Sequence, residues 1–138
     1  MSNVELNQGE IKVKFIEPKK GKISFSNLGI TKEATSLKNG LLRLVFDFEG
    51  IGKHSYFQVP TIEIFYKENM AETHWVCEFN GETILDKLDH HGHSTVMLLN
   101  RKVLSNLEQH HENCLIVHAE FPQVANLDLE KSSINFFK

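Results

Sequence analysis

Cysteine is scarce in this chain. Cys77 and Cys114 are the only two among 138 residues, and each sits in an apolar segment. That pattern reads as two buried thiols in a reducing compartment, not as the disulfide framework of a small secreted domain. No Asn-x-Ser/Thr acceptor occurs. No apolar run approaches the roughly 18–20 residues needed to span a bilayer. The opening residues, MSNVELNQGE, lack the basic start and apolar centre of a signal peptide. A cytoplasmic protein without a membrane contact is therefore expected. The chain also has no P-loop, no Gly-x-Gly-x-x-Gly and no Gly-x-Ser-x-Gly elbow, which removes the usual sequence signs of nucleotide binding and of serine-based nucleophilic catalysis.

Basic charge is short as well. The net charge is −3 and unevenly placed: residues 1–40 carry seven lysines against four glutamates, and residues 41–138 carry eight basic against fourteen acidic side chains. A nucleic-acid binder needs a basic face, and the one lysine group, Lys12, Lys14, Lys19, Lys20 and Lys22, has the spacing of a solvated strand face. The acidic remainder suits a basic protein partner.

What the chain does have is enough apolar material for one core. Apolar residues make up 41% and charged residues 24%, with ten phenylalanines and one tryptophan, as expected for a single globular domain over 1–138 with residues 1–9 as a loose tail. Ile11-Lys12-Val13-Lys14-Phe15 alternates as a half-buried strand does. Pro18-Lys19-Lys20-Gly21 reads as a turn and Ile23-Ser24-Phe25 resumes the alternation, so 11–26 is predicted to be a hairpin. Leu42, Leu44, Phe46 and Phe48 share one face of a strand, Ile62, Ile64 and Tyr66 share a second, and Trp75, Cys77 and Phe79 a third.

The period then changes. Asn80 is a good N-cap, Ile84, Leu85 and Leu88 form a helical stripe, and Gly92 stands where a helix exit would place it. A short helix over 81–91 is predicted, and a second over 101–112, capped by Asn100, with Val103, Leu104 and Leu107 inward. Val96-Met97-Leu98-Leu99 and Cys114-Leu115-Ile116-Val117 are apolar on both faces, as central strands are. Strand, helix and strand in that order suggest a parallel βαβ unit near 95–121. The expected fold is α+β: a mostly antiparallel sheet of about 6–8 strands with two short helices.

Chemistry concentrates in Leu88-Asp89-His90-His91-Gly92-His93-Ser94-Thr95. Imidazoles are common metal ligands and need two or three companions converging on one point. The candidate metal set is His90, His91, His93 and His118, with zinc or another divalent metal as the cofactor it would hold. The competing expectation is a polar helix exit in which histidines satisfy the last carbonyls, with no cofactor. Asp89-His90-His91 resembles the short signature of DHH-type metallophosphoesterases. That family also needs an upstream Asp-x-Asp, whereas Asp47-Phe48-Glu49 has the wrong second acid. His91-Gly92-His93 lacks the flanking Gly and Glu of a cupin, with Leu85 and Met97 at those places. His111-Glu112 lacks the second zincin histidine, replaced by Leu115. The two His-x-x-Cys pairs, His74/Cys77 and His111/Cys114, could supply four zinc ligands in number, but a strand points i and i+3 to opposite sides. His118 shares a strand face with Cys114, Ile116 and Glu120, and a His–Glu pair can do acid–base work.

With no complete catalytic set, a small non-enzymatic protein-binding module is expected, of the kind a toxin-immunity protein or antitoxin represents, acting on a basic partner through an acidic surface. The alternatives are a metal-dependent enzyme built on the histidine cluster, and a homo-oligomeric small-ligand-binding protein, a homodimer joined through sheet edges.

Overall fold

The structure is a computed structural model, and it describes residues 10–15, 20–32, 40–48, 60–67, 72–89, 94–98, 113–121 and 127–136. Strands account for 64% of these. They are β1 (Glu10–Lys14), β2 (Lys22–Ser24), β3 (Leu41–Asp47), β4 (Thr61–Phe65), β5 (Thr73–Phe79), β6 (Glu82–Asp89), β7 (Ser94–Leu98), β8 (Cys114–Glu120) and β9 (Ser133–Asn135). They form two sheets, one ordered β1-β3-β8-β5-β6 and the other β2-β9-β4-β7. The helical contribution among the described residues is a 3-10 turn at Ser26–Leu28. The α+β expectation is thus corrected to a mostly-β, two-sheet arrangement with nine described strands.

Period-2 alternation explains most of these elements. Leu42, Leu44, Phe46 and Phe48 are buried, as are Ile62, Ile64 and Tyr66, Trp75, Cys77 and Phe79, and Leu115, Val117 and Ala119. Each set lines one side of its strand and meets the others in a single apolar cluster that draws on both sheets. Phe15 stacks on Phe46 and Phe48 and meets Phe136, which follows β9 in the other sheet, edge-on at 4.8 Å. Tyr66 and Phe121 make a second edge-on contact between the layers at 5.8 Å. Burying one such large side chain contributes about 1.5–3 kcal/mol before the entropy of ordering is charged.

Over the described residues 81–89, the helix predicted over 81–91 is replaced by the turn and second strand of the β5–β6 hairpin. Asn80 and Gly81 both have positive φ, 51° and 88°, the geometry of a two-residue type I′ turn, which favours Asn-Gly and matches the twist of the flanking strands. Asn80 does not cap a helix. Its Oδ1 accepts the Cys114 N–H at 2.8 Å and its Nδ2 donates to Asn113 Oδ1 at 2.9 Å, so the turn is tied to the start of β8. The apolar stripe read as helical is split between the two sides of the strand: Leu85 is half-buried and packs against the core, whereas Ile84 is 37% and Leu88 50% exposed. The second predicted helix, 101–112, lies outside the described residues.

Two connections also differ from expectation. Residues 11–26 do not form a hairpin, because β1 pairs with β3 and β2 pairs with β9 in the other sheet. The β1–β3 pair is parallel; parallel neighbours need a long crossover, and the chain makes it by way of β2. The βαβ unit near 95–121 is absent: β7 pairs with β4 in one sheet, while β8 lies antiparallel between β3 and β5 in the other. Of the two segments expected to be central, β8 is the middle strand of five, and β7 closes the order of its four-stranded sheet. Among the described residues, no helix is long and apolar enough to cross a membrane.

Candidate functional site

Register fixes which side chains share the outer face of the five-stranded sheet, the face turned away from the core cluster. Directly paired residues point to the same side. One row runs Leu41 (β3), Glu120 (β8), His74 (β5) and Leu88 (β6). The next runs Arg43, His118, Val76 and Asp86, and the third runs Lys12 (β1), Val45, Ile116, Glu78 and Thr83. A fourth holds Lys14, Asp47 and Cys114. This grid explains why β5 and β8 alternate between buried and more exposed positions, and why β3 does so except at Val45, which is buried on the outer face.

Charge is sorted across the face. The β1–β3 side carries Lys12, Lys14 and Arg43 beside Asp47. The β8–β5–β6 side carries Glu78, Asp86 and Glu120 around the apolar pair Val76 and Ile116, with two histidines and, among the described residues, no lysine or arginine on that part of the face. His74 Nε2–H donates to Asp86 Oδ1 at 2.7 Å across the β5–β6 pair. Both groups are open to solvent, so this ion pair contributes little to stability. Burial among its neighbours and then the Arg43 guanidinium hold His118 below the ordinary histidine range, against the opposing pull of Glu78. His118 is therefore neutral near pH 7 and presents a polar but uncharged group between the two halves.

The expectation that His118, Glu120, Ile116 and Cys114 share a face agrees with the register, and the pair lies on this outer surface. His90, His91 and His93 lie outside the described residues. Asp89, the residue before them, is buried on the core side of β6, paired with the equally buried Thr73, whose Oγ1 shares a hydrogen bond with the Tyr66 hydroxyl. His118 is on the opposite side of the sheet and two strands away, about 10 Å at ordinary strand spacing. Among the described residues, no group of three or more His, Cys, Asp or Glu side chains could hold a metal ion. The His-x-x-Cys pairs do not build a zinc site from their cysteines: Cys77 enters the core, where burial pushes its thiol up to about 12, and Cys114 lies on the outer face.

The residue of this face that sequence reasoning passed over is Glu78. Glu78 alternates out of the Trp75-Cys77-Phe79 strand, which is a readable signal. Asp86 was assigned to a helix, so its place beside His74 was not readable. In comparison with protein families, curated proteins and solved structures, nothing matches this chain.

Proposed function

We propose that this protein is a non-enzymatic protein-binding module that holds a basic partner against the acidic half of its five-stranded sheet. The observation carrying this reading is the sorting of charge on the outer face: Glu78, Asp86 and Glu120 surround half-exposed Val76 and Ile116. An apolar centre with a rim of one charge sign is the composition of a protein-binding patch, in which the charges steer and orient and the apolar centre holds. A neutralising partner in the cytoplasm, like a toxin-immunity protein or an antitoxin, needs no more than such a complementary surface.

The test starts with affinity capture under low salt and identification of the bound protein. The complex is then rebuilt from two purified components and measured by calorimetry at two salt concentrations. A basic partner is expected to bind with salt-dependent affinity, and Glu78→Lys with Glu120→Lys is expected to abolish the salt dependence and weaken binding. Unchanged affinity in the double variant would overturn the reading.

The second reading, a metal-dependent enzyme, draws its support from the buried Asp89 carboxylate and the Thr73–Tyr66 pair directly before the three histidines. Elemental mass spectrometry on tag-free protein prepared without chelator separates the two. Near-stoichiometric zinc, manganese or iron that is lost in His91→Ala favours the enzyme; its absence removes this support.

A further inference from the structure

We propose that Asn80–Gly81 is a self-modification site gated by the fold: the pair closes to a succinimide, and opens to aspartate or isoaspartate, when the β5–β6 turn loses its ties to β8. This goes beyond the acidic-face reading and does not rest on it.

The reaction needs only the chain and water. The Gly81 backbone nitrogen gives up its proton to solvent, and its electron pair attacks Asn80 Cγ. An N–Cγ bond forms, the Cγ–Nδ2 bond breaks, and Nδ2 takes up a proton and leaves as ammonia. Water then adds to one of the two ring carbonyls. Breaking the new N–Cγ bond leaves aspartate in a normal main chain. Breaking the original peptide bond between Asn80 and Gly81 leaves isoaspartate, with the main chain running through Cγ. Nothing is oxidised or reduced. Gly81 suits the role of nucleophile: it has no side chain to shield its nitrogen, it is exposed, and nothing lies within 4 Å of the place a Cβ would take.

The turn holds the pair unreacted. Asn80 and Gly81 have φ 51° and 88°, as the central residues of a type I′ turn do, and that turn sets ψ of the first at about +30°. In an L residue this ψ places Cβ almost opposite the Gly81 nitrogen about the Cα–C bond, whereas a five-membered ring requires the two to eclipse. Rotation about that bond is opposed by the pairing of Phe79 with Glu82 on either side of the turn. The side-chain amide is also engaged at both ends. Oδ1 accepts the Cys114 N–H at 2.8 Å, and Nδ2, the leaving group, donates to Asn113 Oδ1 at 2.9 Å. The Asn80 N–H donates to the Cys114 carbonyl at 2.9 Å. Ring closure therefore requires the hairpin end to come away from β8 first.

The two products differ in what they do to the fold. Asp-Gly suits a type I′ turn as well as Asn-Gly does, and a carboxylate oxygen still accepts the Cys114 N–H. Isoaspartate adds an atom to the main chain of a two-residue loop, and loop length sets the register of the strands it joins. Formation of isoaspartate thus makes an opening of the hairpin irreversible.

The test incubates the full chain in mildly alkaline buffer across a guanidinium series that spans its unfolding transition. Conversion at Asn80 is followed by peptide mapping with isoaspartate detection, which separates it from Asn39–Gly40, the chain's other Asn-Gly pair. The rate at Asn80 is expected to follow the unfolded fraction and to be at least about tenfold lower in the folded chain, a factor that two hydrogen bonds of ordinary net strength supply. Gly81→Ala is expected to slow conversion in denaturant, because its methyl group shields the nitrogen. The isoaspartate product, separated by ion exchange, is expected to unfold at a lower midpoint than the parent, and Asn80→Asp to stay near it.

Equal rates at Asn80 in the folded and unfolded chain would overturn the gating. Conversion in Gly81→Ala as fast as in the parent, both in denaturant, would overturn the route through the Gly81 nitrogen. An isoaspartate product with the parent midpoint would overturn its incompatibility with the turn.

Discussion

Replacing Gly40 with alanine should destabilise this fold far more than any equally small change at a turn with open space. Gly40 opens β3 at φ +69°, and a Cβ built there would lie 2.6 Å from the Phe121 carbonyl oxygen and 2.7 and 2.8 Å from two carbons of its ring. Two costs add. Alanine in the left-handed region costs about 1–2 kcal/mol. Forcing a methyl group into an occupied space costs about 1–3 kcal/mol more. Relaxation cannot cheaply remove the second cost. The Phe121 N–H already donates to the Gly40 carbonyl at 3.2 Å, which fixes the backbone, and its buried ring is held edge-on against Tyr66. The expected total is about 2–5 kcal/mol, a large share of the roughly 5–15 kcal/mol that holds a domain together. Gly81→Ala is the control: its φ is +88°, but nothing lies within 4 Å of the added Cβ, so only the backbone cost of about 1–2 kcal/mol applies. Urea unfolding followed by fluorescence of the buried, single Trp75 measures both. For a slope of about 1.5 kcal/mol per molar, Gly40→Ala should lower the midpoint by about 1.5–3 M and Gly81→Ala by about 1 M. Equal shifts in the two variants would refute the steric argument and mean that Phe121 does not stand against Gly40.

Two further outcomes follow from the placement of titratable groups. Because His118 is held below its ordinary value in the folded chain, the unfolded chain takes up the proton first as the pH falls; its contribution to stability is intact above the unfolded value of about 6.5 and is lost as pH drops through the lower folded value. His118→Gln should therefore shrink the decline in urea midpoint between about pH 7.5 and about pH 5, and an unchanged decline would show that His118 is not the group responsible. Alkylation of the native protein should label Cys114, half-buried on the outer face, well before Cys77, whose buried thiol stays protonated; intact mass after timed quenching reads the order, and simultaneous labelling would contradict the burial of Cys77.

Much of the core was legible in the chain because strand alternation is a local property. Leu42 to Phe48, Ile62 to Tyr66 and Trp75 to Phe79 each assign their inward faces without reference to any other segment, and the same alternation put His118 and Glu120 on one side of β8. Tertiary structure decided what local pattern left ambiguous. Asn80 is equally suited to start a helix and to open a type I′ turn, and Ile84, Leu85 and Leu88 fit a helical stripe. The strand prevails because β5 supplies a ladder for residues 82–89 and Asn80 finds Asn113 and Cys114 across the sheet. The division of β1 and β2 between two sheets, and of β7 and β8 likewise, depends on partners far along the chain, to which a period of two is blind. The candidate face has the same origin. Its residue types are present in the sequence, but Glu78, Asp86 and Glu120 become neighbours only through the register of three strands, because hydrogen bonding between strands, not adjacency along one, brings them together.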